Sequence, residues 1–206
     1  SNNQQVLGHM LNAREDALNF LAFKEMQDWE LYTENNGVTL KTRKDQNNDL
    51  LMAKCEMDLN ISATDALKAF RDIEWLKRTD GAGADIKELK KIDNSTRYTH
   101  YILPAKCLVS ARDVVNFSHE IELEDDSYLL ILHGVEDYDV PNRSSNAIRM
   151  KIIVSGFQFI EIDDDRCKMI KIAHGELGGL IPNSLINWMI GSHQEHFEKI
   201  KSDLES

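Results

Sequence analysis

What this 206-residue chain lacks narrows it first. It holds three cysteines, Cys55, Cys107 and Cys167, too far apart for a disulfide framework and without the CxxC pair of a thiolate zinc site. Reduced thiols in a cytoplasmic protein are the expectation. No apolar run reaches the roughly 18 residues of a spanning helix, and the N-terminal segment has no basic stretch leading into an apolar core, so neither an anchor nor a signal peptide is expected. Basic residues are short too: 24 Lys and Arg stand against 35 Asp and Glu, a formal charge of −11. That field repels phosphate backbones, so nucleic acid is not expected as a partner, and tight docking to an anionic membrane is disfavoured. The local clusters Lys41, Arg43, Lys44 and Lys87, Lys90, Lys91 read as solvated strand edges.

Enzyme signatures are equally scarce. There is no GxSxG, no glycine-rich phosphate loop after a strand, and no recognisable histidine partner for a cysteine. His193, Glu195 and His196 share a helix, but not in HExxH order. No metal or cofactor is expected.

What is present is a core-forming composition, 42% hydrophobic, with clear periodicity. Residues 5–28 read as an amphipathic helix with its stripe on Leu7, Leu11, Leu18, Leu21 and Ala22. The period then drops to two. Three antiparallel strands are expected at Trp29–Tyr32, Val38–Arg43 and Leu50–Leu59, with turn chemistry at Asn35-Asn36-Gly37 and at 46–49. Ser62, three residues before Asp65, reads as the N-cap of a short helix, and a second short helix carries Ile73, Trp75 and Leu76. Six further strands follow, Ile86–Ile92, Arg97–Leu103, Val114–Glu122, Tyr128–His133, Ala147–Ile160 and Lys168–His174.

The last segment is the most informative. Gly175-Glu176-Leu177-Gly178-Gly179-Leu180-Ile181-Pro182 leads into a helix in which Ile186, Met189, Ile190, His193, Phe197, Ile200 and Leu204 fall within about 100° of arc. The glycines allow a sharp bend, and Pro182 suits a first helical turn. This order predicts an α+β fold of one domain over residues 1–206: a strongly curved antiparallel sheet of about nine strands gripping the final helix, with an N-terminal helix and two short ones. A curved sheet and one helix seldom meet everywhere, so an apolar space can remain between them.

In these residues the chain resembles the START domains, lipid-transfer domains of the helix-grip fold related to the steroidogenic acute regulatory protein. The likeness is carried by Trp29 with Asn36-Gly37-Val38-Thr39-Leu40, by Ala111-Arg112-Asp113-Val114-Val115, by Ala147-Ile148-Arg149, and by Gly178–Pro182 followed by Leu185-Ile186-Asn187-Trp188. It spans nearly the whole chain. The resemblance implies a monomer with a cavity for one lipid, a loop at about Leu103–Ser110, and a C-terminal helix that moves to admit the ligand. Sterol-carrying relatives often place a facing Glu and Arg on cavity strands; at the roughly aligned positions this chain has Tyr101 and Ser118, which disfavours a sterol.

The physics agrees with a carrier. A lipid crossing water exposes some 20 methylenes at about 0.8 kcal/mol each, a penalty that an enclosed apolar space removes. Transfer between two apolar media is near neutral, so loading needs neither ATP nor a covalent step. The expected function is therefore non-enzymatic binding and intermembrane transfer of one lipid, a phospholipid before a sterol. Ile186, Met189, Ile190, His193 and Phe197 are the expected lining, with Tyr101, Ser118 and Arg149 orienting a headgroup by strand alternation. Leu108, Val109, Leu180, Ile181 and Trp188, with Cys107, are the expected transient membrane contacts. Arg112 and Asp113 are read as fixing the start of their strand. Two alternatives stay open: a lipid sensor whose occupancy changes a partner's binding, and a cyclase or hydrolase using Asp113, His119 or Arg149 on an apolar substrate.

Overall fold

The computed structural model describes residues 2–46, 50–80, 83–105, 110–136, 138, 140, 146–178 and 183–206, the side chains of 2, 183–189, 191 and 192 excepted. The elements run α1 (Asn2–Lys24), β1 (Glu30–Asn35), β2 (Val38–Lys44), β3 (Leu51–Leu59), α2 (Ala63–Ala69), α3 (Ile73–Thr79), β4 (Asp85–Lys91), β5 (Thr96–Leu103), β6 (Arg112–Glu122), β7 (Tyr128–Gly134), β8 (Ile148–Arg149), β9 (Lys151–Asp163), β10 (Arg166–Glu176) and α4 (Asn183–Leu204).

Local chemistry sets the boundaries. Asn36 and Gly37 both take positive φ, 51° and 73°, as a two-residue hairpin turn between β1 and β2 requires. Ser62 caps α2 by accepting the Asp65 amide, and the Asp72 carboxylate caps α3 through the amides of Glu74 and Trp75. The expected strand Ala147–Ile160 breaks at Met150: β8 pairs in parallel with Arg112 and Asp113 of β6, and β9 then pairs with β7 and β10.

One open sheet runs β1-β2-β3-β10-β9-β7-β6-β5-β4, with β8 beside β6; every pairing except that of β8 is antiparallel. This is the helix-grip arrangement. Strand alternation divides its side chains between two faces. One face carries Tyr98, Val115, Phe117, Leu129, Ile131 and Ile172 against α1; the other carries Met57, Leu130, Phe157, Phe159 and Met169 against α2, α3 and α4.

The face that α1 buries differs from the expected stripe. Ala13, Ala17 and Phe20 are buried, whereas Leu7, Leu11 and Leu18 are 58%, 57% and 70% exposed. The sheet beneath is already filled by aromatic and branched side chains, so small residues bring the helix close, and leucines there would overpack. Phe20 sits over the bare backbone of Gly156, where an added Cβ would lie 3.3 Å from the ring.

Candidate functional site

The C-terminal half of α4 is fixed to the sheet. Phe197 and Ile200 are buried in the cluster that holds Val38, Leu40, Met57 and Leu59. A polar clasp surrounds them. The Gln194 amide donates to the Val38 carbonyl at 3.3 Å, Asn35 and Asn36 donate to Glu198, the Trp75 indole donates to Asp203 at 2.6 Å, and Lys199 donates to the Arg78 carbonyl at 2.6 Å. Motion of this half would break all of these at once.

Further along the strands the described side chains do not fill the face. Cys167 and Met169 point to the α4 side, so alternation places Lys171 and Ala173 there as well, beside Cys55 and Ala53 of β3 and Phe157 and Ser155 of β9. Lys171, Ala173, Ala53, Leu132 and Tyr101 all keep accessible surface on this interior face, and buried Ile190 marks where α4 crosses above. Side chains enclosed by protein yet still accessible line a recess instead of a packed core.

The recess has a polar set that sequence reasoning missed. Lys171 is deeply enclosed; its Nζ donates to Ser155 Oγ at 2.7 Å and lies 4.1 Å from the Phe157 ring centroid. Loss of hydration pulls its pKa from 10.5 down to about 7. The alternation Lys168-Met169-Ile170-Lys171-Ile172 held the signal, since the parity that buries Met169 turns Lys171 inward. His193 lies above, its ring stacked near Phe197 at 6.1 Å, with a pKa pushed down to about 4 by burial first, then by His196 and Lys171. His196 is lowered as well, again mainly by burial, and its Nδ1 lies 3.1 Å from the Thr79 carbonyl oxygen. Both imidazoles are neutral at pH 7. Asn116 adds a buried Oδ1 with no hydrogen-bond partner among the described residues.

The structure brings together some expected residues and separates others. Ile190, His193 and Phe197 share the inward seam, and Tyr101 and Ser118 share the recess face, since Tyr101 pairs with Val114 and Ser118 with Leu132. Tyr101 donates its hydroxyl to Asp80, and burial holds its pKa well above the usual phenol value. Arg149 lies elsewhere. It pairs with Asp113, which alternation places on the α1 face with Val115 and Phe117; its Nε and Nη2 donate to that carboxylate at 3.2 and 3.0 Å. His100 adds a third contact to Asp113 at 2.9 Å. The strand break at Met150 is what removes Arg149 from the recess. His119, hydrogen-bonded to Thr96 at 2.9 Å and stacked near Phe117, is on that α1 face too, so the three residues considered for acid–base chemistry do not converge on the recess. Leu108, Val109, Leu180, Ile181 and Cys107, and the side chains of Ile186, Met189 and Trp188, lie outside the described residues.

Arg112 connects the two segments that flank the recess. Its guanidinium donates to the carbonyls of Ser110 at 2.5 Å, Leu177 at 3.3 Å and Gly178 at 3.1 Å. Gly178 has φ +69°, and a Cβ there would meet Ile148 Cγ2 at 2.7 Å, so the bend that leads to α4 requires glycine. A solvent-open cleft at the β9–β10 turn, lined by Asn60 and 163–166, is remote from this set. Among the described residues no group of three metal-ligating side chains forms, and no helix is long and apolar enough to cross a membrane.

An open antiparallel sheet, a helix clasped to it by its C-terminal half, and partly accessible inward side chains near Lys171 and His193 define a helix-grip domain. The START domain family model matches residues 10–202, and the chain belongs to that family. Membership supports lipid binding or transfer in general. Among solved structures, human StAR-related lipid transfer protein 5 superposes with a TM-score of 0.82 at 14% identity, covering 95% of this chain and 96% of its own. Human STARD10 gives 0.76 at 17% identity, covering 89% and 76%, and a STAR-related lipid transfer protein from Xanthomonas axonopodis gives 0.73 at 22% identity, covering 87% and 100%. At these identities the likeness establishes the fold. Comparison with curated proteins by sequence finds no significant match.

Proposed function

We propose that this domain binds one lipid, a phospholipid before a sterol, in the recess between the sheet and the N-terminal half of α4, and carries it between membranes as a monomer without chemical conversion. The observation that carries the reading is the asymmetry of α4. Its C-terminal half is tied down by Phe197, Ile200 and the clasp around Gln194, Glu198 and Asp203, whereas the partly accessible residues around Lys171 lie near His193, toward the end that begins beyond Gly178. A helix held at one end and entered through a left-handed glycine can swing as a lid. Ile186, Met189, Ile190, His193 and Phe197 would then touch acyl chains. Tyr101 and Ser118 would take part in holding the headgroup, while Arg149, already bound to Asp113, would support the wall.

Opening exposes apolar surface, so it should happen against a bilayer. We assign Leu108 and Val109, with Leu180, Ile181 and Trp188, as that transient contact. The test is transfer of a fluorescent phospholipid from donor to acceptor vesicles without nucleotide. The wild-type chain should accelerate transfer, and Leu108→Asp with Trp188→Asp should slow extraction while leaving the folded circular dichroism spectrum intact. Transfer no faster than spontaneous exchange, or a double variant as active as wild type, would contradict the carrier reading or the contact assignment respectively.

A further inference from the structure

We propose that Lys171 anchors one anionic oxyacid headgroup, a phosphate diester or a carboxylate, held between β10 and α4. This rests on the lipid-binding reading above and narrows its ligand. Lys171 has three N–H donors, and only Ser155 Oγ is hydrogen-bonded to them among the described residues; the Phe157 ring covers one side. No carboxylate lies within ion-pair distance of it among those residues, whereas Arg149 is paired with Asp113 and the buried cations Lys54 and Arg112 donate to backbone carbonyls.

The groups around the ammonium are all poor counter-ions. Cys55 on β3 is a thiol whose pKa burial pushes far up, and His193 and His196 on α4 are neutral imidazoles that also feel Asp80. Asp80 in turn accepts from the Tyr101 hydroxyl and the Ala84 amide. An enclosed ammonium without a counter-charge is unfavourable, and a methionine of similar length would pack there at less penalty. An anionic headgroup supplies the missing charge, and a neutral His193, which has no hydrogen bond of its own among the described residues, can donate a second contact from α4. A sterol hydroxyl would bring no counter-charge to the protonated amine. A zwitterionic phosphocholine would bring its own cation beside Lys171.

The experiment offers the folded chain phosphatidylcholine vesicles that contain phosphatidylglycerol, oleate or neither, and counts protein-bound lipid by native mass spectrometry. A charge-assisted contact predicts uptake of the anionic species over phosphatidylcholine by roughly 10- to 100-fold, with Lys171→Met bringing the ratio near one and Lys171→Arg retaining most of it. Whichever anion is enriched tells phosphate from carboxylate. Carbon-13 NMR of the Lys171 side chain should show its ammonium titrating at higher pH when loaded; this readout needs no variant, and Lys171→Gln replaces the methionine variant if that one does not fold. A methionine variant with undiminished anion preference, a wild type that favours phosphatidylcholine, or a lysine titration unmoved by ligand overturns the anchor while leaving lipid binding standing. Uptake of no lipid from any vesicle overturns both.

Discussion

Acid should loosen the grip of α4, through His193. An imidazole whose pKa is lower in the folded chain binds fewer protons there, so falling pH favours unfolding and opening. His193 drops from 6.5 to about 4, with desolvation the leading cause. Its contribution is complete above pH 6.5, declines between pH 6.5 and 4, and levels off below. From pH 7 to pH 5 the imidazole alone should remove about 2 kcal/mol of folding stability. His196, His119 and His174 are lowered in the same direction by burial, and the lowered carboxylates Asp65, Asp163 and Asp203 lose their contribution at more acid pH, so the wild-type curve is a sum. The comparison that isolates the effect is urea denaturation of wild type and His193→Leu at pH 7 and pH 5. Leucine keeps an apolar contact with Phe197 and removes the titration. The difference between the two proteins should shift by about 2 kcal/mol in favour of the variant at pH 5. A difference that stays constant would mean that His193 is hydrated or protonated in the folded state, and the dry seam above Lys171 would be refuted.

Other outcomes follow from the same contacts. Phe197→Ala should destabilise by about 3–5 kcal/mol in chemical denaturation, because the ring is 3% exposed within the main cluster; a loss below about 1 kcal/mol would show that α4 is not anchored there. Leu18→Gln on α1 should change the unfolding free energy by less than about 0.5 kcal/mol, whereas Ala13→Leu should cost about 1–3 kcal/mol by overpacking; the reverse order would restore the leucine stripe as the buried face. Arg112→Met leaves the carbonyls of Ser110, Leu177 and Gly178 without their donor, so hydrogen exchange should rise in both flanking segments together; a rise in only one would show that Arg112 does not couple them.

Most of the architecture was legible because its determinants are local. The Asn36-Gly37 turn, the Ser62 cap and the seam through Ile190, Phe197 and Ile200 each follow from a short stretch of chain, and each is where its chemistry placed it. The failures are tertiary. Which face of α1 is buried depends on how full the opposing sheet is, and leucine content alone could not reveal that Ala13 and Ala17 turn inward with Phe20, whose ring meets Gly156. The fate of Arg149 turned on a strand break at Met150 and on Asp113, a partner 36 residues away in sequence. Lys171 is not legible as an inward residue in the sequence because lysine in an alternating strand usually faces water. Its inward direction is fixed by register with Cys55 and Phe157, which only the assembled sheet supplies.

The central claim is a lipid-sized space between the curved sheet and the N-terminal half of α4. Native mass spectrometry of the purified chain after exposure to mixed-lipid vesicles measures it directly. One lipid mass per polypeptide, lost when His193→Trp or Ala173→Trp fills the recess without unfolding the chain, is the predicted result. A folded chain that carries no lipid, or whose occupancy the filling substitutions leave unchanged, would contradict it.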